Sequence, residues 1–415
     1  MRRDLLKALG PGVLFTGAAV GVSHLVQSTR AGAVYGLSLV GLVVLANVVK
    51  YPAFRFGPMY AAATGTSMLE GYRRQGRWAL VLYALMTLGT MFTVQAAVTV
   101  VTAGLFGALF GVTASPLVIS AGILAVCAGL CATGGYRALD KAGKVVVAFL
   151  AVTTVLATAL VLPRIDWSAQ TFWPTRFAAA DVAFMAALVG WMPSAIDVSV
   201  WQSLWTLARG TETGGRPEAR ASSADFHLGY VGTAFLAICF VLLGAAVLHG
   251  DAELPPQAGA FCARVISVYV EALGEWSRPI IGGAAFATMF STTLTVVDGF
   301  PRALSVLVDR FRGEEAPDEE GRSDRTPAYW VSLVVLALGS LGILAFFLAS
   351  MKALIDLATT LSFLSAPVLS FLNHRAVTSD AMPAAARPRR WLVVSSWVAI
   401  GLQAAFAIAF VVLIS

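Results

Sequence analysis

The residues able to do chemistry in this chain are few, and most stand alone in apolar surroundings. His24 follows Gly21, Val22 and Ser23; Lys50, Asp197, Asp298 and Asp356 each interrupt a long hydrophobic run. An ionisable group at such a position costs several kcal/mol unless it is paired or wet, so each points to a site for a charge, a proton or a polar solute, except Asp356, which lies close to the outer end of its span and is expected to be solvated. His24 titrates near neutral pH. Asp197 lies five residues beyond Met192 and faces the inner half of a possible pathway. Asp298 follows Ser291-Thr292-Thr293-Leu294-Thr295. Lys50 is expected either to snorkel at the end of its helix or to act as an internal counter-ion. Gln95 and Thr99, and Thr359, Thr360 and Ser362, are candidates to line a polar cavity or to bond between helices. None of this forms a catalytic set: there is no H-E-x-x-H pair, nucleophile elbow or metal-ligand cluster at suitable spacing, so no enzyme is expected.

These groups are carried by a chain of 415 residues that is 58% hydrophobic and 13% charged. Such a composition cannot cover a soluble surface. Soluble enzymes, nucleic-acid binders and disordered proteins are thereby excluded, and one transmembrane domain covering residues 1–415 is expected. Spans of about 20 apolar residues fall at Pro11–Thr29, Gly36–Phe54, Leu80–Phe110, Pro116–Thr133, Val145–Pro163, Val182–Trp205, Leu228–Leu248, Pro279–Pro301, Ala328–Ser350, Met351–Leu372 and Trp391–Ile414, numbered 1 to 11 below. The first reads as an uncleaved helix, not a signal peptide. With the N-terminus cytoplasmic and the C-terminus outside, 22 of the 29 Lys and Arg lie on the inner side, 6 lie outside, and Lys50 falls within a span. That asymmetry sets the orientation and accounts for the net charge of +6. The expected location is the inner (plasma) membrane of a bacterium. Cys127, Cys131, Cys239 and Cys262 read as small packing residues. The acidic run Glu314, Glu315, Asp318, Glu319, Glu320 reads as a solvated linker, and Ala260–Leu273 as a short interfacial helix.

Two spans carry helix-breaking residues at similar depth. Span 1 holds Gly17-Ala18-Ala19-Val20-Gly21-Val22-Ser23-His24, and span 6 holds Val189-Gly190-Trp191-Met192-Pro193-Ser194. Broken helices supply free carbonyls and half-helix dipoles to transport sites. They are also the first helices of two five-span halves, which predicts inverted repeats over about 11–163 and 182–372 with an additional helix at 391–414. The repeat rests on the position of the breaks, since the halves show no clear identity.

Several stretches resemble the natural-resistance-associated macrophage protein (Nramp) transporters. Gly10-Pro11-Gly12-Val13 opens span 1, and Arg30-Ala31-Gly32-Ala33-Val34-Tyr35-Gly36 follows at the spacing of that family. Ala63-Thr64-Gly65, Tyr136-Arg137-Ala138-Leu139-Asp140-Lys141 and Met192-Pro193 also fall where the family has similar residues. The resemblance covers nearly the whole chain. It implies an all-α membrane fold of the LeuT type, with five-plus-five spans, broken spans 1 and 6, and an eleventh helix. It also implies secondary active transport, commonly proton-coupled import of Mn²⁺ or Fe²⁺. The departures fall on the site. Gly21-Val22-Ser23-His24 stands where the family has its metal-binding Asp-Pro-Gly-Asn. Met192 is kept, while Ser194 replaces a histidine. Val189 replaces the alanine whose carbonyl can bind metal. Val94 and Ala97 replace the acidic pair of span 3, and Thr359 the glutamine of span 10.

The expected substrate-binding set is therefore Gly21, Ser23, His24, Val189, Met192, Ser194 and Thr359, with Gln95, Asp197, Asp298 and Lys50 as coupling or pathway groups. His24 and Met192 are the candidate ligands for a transported metal. No resident cofactor and no nucleic acid are expected. The partners are the lipid bilayer, a small ion or solute and protons, with a monomer favoured. A hard divalent ion usually wants a carboxylate, and none lies nearer to the break than Asp197. Three functions remain open: a divergent divalent-metal transporter, a LeuT-type transporter of a non-metal solute, and a non-transporting membrane sensor or scaffold.

Overall fold

The computed structural model describes residues 10–133, 136–213, 219–249, 255, 257–313 and 326–414. Among these the chain is helical throughout, with no strand. The acidic run at 314–320 lies outside the described residues. Among the described residues nine helices are long and apolar enough to cross a membrane by length and composition, and they correspond to spans 2 to 5 and 7 to 11. Spans 1 and 6 are the exceptions, because each is two half-helices. Span 1 comprises Pro11–Ala19 and a π-helical stretch Val22–Ser28 that runs on into Thr29–Tyr35. Span 6 comprises Ala179–Gly190 and Asp197–Thr213, joined by irregular chain at 191–196.

Spans 3 (Arg77–Phe110) and 8 (Arg278–Phe311) are both 34 residues long. At ~1.5 Å per residue each reaches about 50 Å, well beyond a hydrocarbon core of about 30 Å. They pack along one another and form the spine against which spans 9 and 10 also lean. Spans 4, 5, 9 and 11 are peripheral. Val118, Val152, Leu160, Val331, Leu338, Val394 and Ile408 are exposed on them, a distribution that suits lipid contact.

Spans 1 and 7 approach closely enough to exclude side chains. A Cβ on Gly32 would lie 2.0 Å from the Val241 carbonyl oxygen, and one on Gly244 2.3 Å from that of Thr29. Only glycine permits this separation, and it lets dispersion act between backbones. At the other end of span 1, the carboxylate of Asp225, on the span 7 helix Ala219–Leu248, accepts from the Gly10 N–H (3.2 Å) and the Gly12 N–H (2.5 Å). Free donors of the helix start are thus satisfied by an anion at the positive end of the dipole.

The helix expected near residues 260–273 is Ala258–Leu273. Phe261, Cys262, Val265, Ile266 and Tyr269 on it are buried. The Cys262 thiol reaches the Val101 carbonyl, and Tyr269 bonds to Thr154. Its apolar face therefore packs on spans 3 and 5, not only on lipid.

Candidate functional site

The break in span 1 follows from local competition for carbonyls. Ser23 Oγ donates to Ala19 O (2.5 Å), and Thr292 of span 8 donates to Gly17 O (2.7 Å). Hydroxyls thus serve carbonyls that a continuing α-helix would pair with its own N–H groups. The chain turns at Val20 and Gly21 and resumes with wider π spacing at Val22. A π segment inside a helix is itself common at functional sites. Gly21 lies against Thr292, where a Cβ would approach Thr292 Cγ2 to 2.9 Å.

The break in span 6 has a different origin. Pro193 has no N–H to continue the ladder, and its ring opposes the preceding turn. The first half-helix ends at Gly190, which touches span 10 so closely that a Cβ would lie 2.0 Å from Thr359 O. Lys50 reaches these carbonyls from span 2. Its Nζ donates to Val189 O (2.6 Å), Gly190 O (2.7 Å) and Ser194 O (3.2 Å). Lys50 is 1% exposed, so it does not snorkel. Span 2 runs as one helix over Val40–Thr64 through Pro52 and Pro58, which places Lys50 well inside the span and not at its end.

Between the two breaks and spans 3 and 8 lies a cavity of ≈ 40 Å³, counted as the space open to the centre of a water molecule. By that measure one water needs roughly 10–15 Å³. Ser23, Ser194 and Thr292 contribute hydroxyls to it, Trp191, Trp201 and Phe300 aromatic walls, and Asp197 a carboxylate. Asp197 is 1% exposed, and neither carboxylate oxygen has a hydrogen-bond partner among the described residues. The same holds for Trp201 Nε1. Trp191 is fixed by its indole N–H, which donates to Ser362 Oγ of span 10 (2.9 Å).

Of the expected substrate-binding and pathway set, Ser23, Ser194 and Asp197 line this cavity, and the other members of that set do not. His24 is fully buried and turned towards span 7. Its Nε2 lies 2.9 Å from Thr233 O, its Nδ1 2.8 Å from Ser23 Oγ, and its ring meets Phe240 edge-on. A carbonyl can only accept, so Nε2 carries a proton there. Met192 packs in an apolar cluster with Ala237, Val241 and Phe363. Among the described residues no group of three or more His, Cys, Asp or Glu is placed to hold a metal ion.

The remaining candidates sit in their own hydrogen-bond sets. Thr359 donates to Ile355 O (2.7 Å), and Gln95 donates to Thr99 Oγ1 (2.8 Å). Asp298 accepts from Arg302 (2.9 and 3.0 Å) and from Tyr329 of span 9 (3.0 Å), so it locks spans 8 and 9 together.

Sequence reasoning missed Trp201 and a polar set at the far end of span 1, and it named Thr292 only within the polar run before Asp298. Arg30, counted there as a loop charge, is on the helix Thr29–Tyr35 and buried. It donates to Asp356 of span 10 through both terminal nitrogens (2.8 and 3.2 Å) and to Gln27 (2.7 Å), with Phe184 beneath its guanidinium. Asp356, expected to be solvated, is paired instead. The available signal was the spacing: Gln27 and Arg30 are three apart and share a helix face.

Comparison with known proteins places this geometry. The family model described as natural resistance-associated macrophage protein-like matches residues 12–413. A protein of Pasteurella multocida (strain Pm70), PM0681, itself uncharacterized, is 34% identical over 380 residues, covering 88% of this chain and 84% of its own length. Among solved structures, a single-substitution mutant of the Eremococcus coleocola manganese transporter superposes with a TM-score of 0.68 at 13% identity, over 97% of this chain and 85% of its own. MhsT in complex with L-phenylalanine gives 0.67 at 12% identity, over 98% of both chains. At such identities the solved structures establish the shared fold: an all-α LeuT/Nramp-type membrane architecture without a sheet.

Proposed function

We propose a function on one premise: the chain belongs to the natural resistance-associated macrophage protein-like (Nramp) family. It is accordingly an integral membrane protein and a secondary transporter of a small solute, not a catalytic enzyme. Transport, not a sensor or scaffold role, is the family's activity. Our reading is that the solute passes the cavity between the breaks of spans 1 and 6. It carries at most one positive charge, as a protonated amine does, and Asp197 balances that charge.

One observation carries this reading: a buried carboxylate without a hydrogen-bond partner among the described residues faces a cavity walled by Trp191, Trp201 and Phe300. A carboxylate beside aromatic faces suits an organic ammonium, which gains from both ion pairing and ring quadrupoles. Ser23, Ser194 and Thr292 add hydroxyls that can take part in orienting it. A divalent ion wants several oxygen ligands and usually more than one negative charge. The cavity offers one carboxylate, His24 is committed to Thr233 and Ser23, and Met192 is packed in apolar surroundings. Asp197 is also the group through which a co-transported proton would act. The skew of basic residues supports a cytoplasmic N-terminus.

The test is uptake into liposomes containing the purified protein. Small primary amines and Mn²⁺ are offered separately, with and without an inward proton gradient. The expected result is gradient-dependent accumulation of an amine, lost in Asp197→Asn, with no Mn²⁺ accumulation. Uptake of Mn²⁺ that competes with no amine would refute the reading and restore a metal as cargo, with His24 and Met192 the first ligands to test.

A further inference from the structure

We propose that the Lys50 ammonium is a resident cation of the span 6 break. It occupies a carbonyl site that would otherwise take a free cation, and so it determines specificity by excluding metal ions from that site. The inference concerns a different group from Asp197 and stands whether or not the cargo is an amine.

A helix that ends inside a protein leaves its last carbonyls unpaired, with partial negative charge gathered at that end. The first half of span 6 ends this way at Gly190, in the middle of the bundle. Water, a free cation or a side-chain donor can satisfy such carbonyls. Here a side chain does so: three N–H donors of one ammonium meet three carbonyl oxygens, those of Gly190 and Ser194 and that of Val189, which it shares with the Met192 N–H (3.2 Å). The acceptors come from both sides of the kink at Pro193. Together they form a small oxygen cage in which Nζ is a compact, strongly polar point charge.

Nothing else competes for that charge. Lys50 is 1% exposed, and among the described residues it forms no ion pair. Among the described residues, carbonyl dipoles are what stabilises it. The residue one turn earlier, Asn47, is held by other bonds: its side-chain amide donates to Val43 O (2.8 Å), and its backbone carbonyl accepts from Tyr230 (2.6 Å). Span 2 is therefore anchored beside Lys50, and the stem has little reason to withdraw. A metal ion coordinated by Val189 O would need to sit about 2.0–2.6 Å from that oxygen, where Nζ already stands. The two cations would share one oxygen and repel each other in a medium that screens poorly.

The test uses the full chain in detergent and reads thermal unfolding by tryptophan fluorescence. Asp197→Asn serves as background, so that cations attracted to Asp197 do not confuse the result. In that background Na⁺, Mn²⁺ and choline chlorides at equal ionic strength are expected to give the same Tm. Adding Lys50→Ala is expected to lower Tm in choline by at least ~4 °C, because buried carbonyls lose their donor. At least half of the loss should return with n-propylammonium, which replaces the missing atoms, or with Na⁺. A Lys50→Ala protein that is equally stable in every salt and gains nothing from n-propylammonium would overturn the proposal.

If Lys50→Ala yields no folded protein, Lys50→Met keeps the apolar stem and carries the same readout. If neither folds, the Asp197→Asn protein decides alone. Equal Tm values in the three salts support a filled site, and a rise with Na⁺ or Mn²⁺ over choline refutes it. The transport reading fails on uptake and this one on stability, so the two failures are distinguishable.

Discussion

Replacing Asp197 by Asn should stabilise the protein while stopping transport. An ionised carboxylate that is buried with no partner among the described residues costs several kcal/mol, even beside a cavity that admits water. Asp197 opens the helix Asp197–Thr213, so the positive end of that helix offsets part of the cost, about 1–2 kcal/mol in a buried setting. Asn is nearly isosteric. Its unpaired amide costs about 1–3 kcal/mol, less than the charge it replaces. The balance favours Asn by about 1–3 kcal/mol, or an increase in Tm of ~2–6 °C for a large chain. The same substitution at Asp298 supplies the contrast. That carboxylate is also buried, but it accepts from Arg302 and Tyr329. Weakening this pair should cost about 3 kcal/mol. The assay is thermal unfolding of both variants beside the wild type at neutral pH, with uptake measured on the same preparations. Opposite signs are the expected outcome. A Tm that falls in Asp197→Asn, by as much as in Asp298→Asn, would refute the claim that Asp197 lacks a partner, and with it the assignment of Asp197 to the solute.

Two further predictions concern the ends of the bundle. Asp356→Asn removes the counter-charge of Arg30 but leaves Gln27, and the Asp356 side chain is one-third exposed (33%). The loss should be about 1–2 kcal/mol, below that of a fully buried pair, and would be read as a lower Tm; an unchanged Tm would mean that spans 1 and 10 are held by packing alone. Glu70, on the short helix Met68–Gln75 between spans 2 and 3, is 1% exposed. Burial alone would raise its pKa, but hydrogen bonds from Arg73 and Arg74 and the charges of Arg73 and Arg310 outweigh it and hold the carboxyl below its ordinary value. A depressed carboxyl stabilises the fold above its unfolded pKa, and that stability is lost as the pH falls through the folded value. Glu70→Gln should therefore unfold at a lower temperature than the wild type at pH 7, with the gap closing below about pH 4. A gap that persists in acid would show that the arginine cluster is not its source.

The sequence made visible what depends on local pattern. Apolar length located the eleven spans. Gly21 and Pro193 located the two interruptions, because a missing side chain and a missing N–H act on the backbone where they stand. What it hid depends on contacts across the bundle. Nothing around His24 indicates that Thr233, more than two hundred residues away, holds its Nε2. Nothing around Lys50 indicates three carbonyls of span 6. Its depth was misjudged because span 2 was taken to end at Phe54, whereas the helix continues past both Pro52 and Pro58 to Thr64. Arg30 was likewise placed just beyond the end of span 1. A single charge seemed to close span 1, yet its partner on span 10 allows it to stay buried.

The charges around the span 6 break make one arrangement. The half-helix Ala179–Gly190 ends in exposed carbonyls, and the ammonium of Lys50 meets them. The half-helix Asp197–Thr213 turns the positive end of its dipole to the break, and the carboxylate of Asp197 belongs to its first turn. Each charge thus stands at the helix end whose dipole favours it. The break is close to neutral as built, with its positive group already spent on carbonyls and its negative group still lacking a partner. A solute bringing one positive charge satisfies that carboxylate and leaves the centre balanced by the dipoles. A divalent ion would bring a second charge with no acid to meet it, since Gly21, Val22, Ser23 and His24 supply none. On the transport reading proposed above, a span 1 break without a carboxylate and a lysine on the span 6 carbonyls act in the same direction: neither gives a doubly charged cargo a counter-charge.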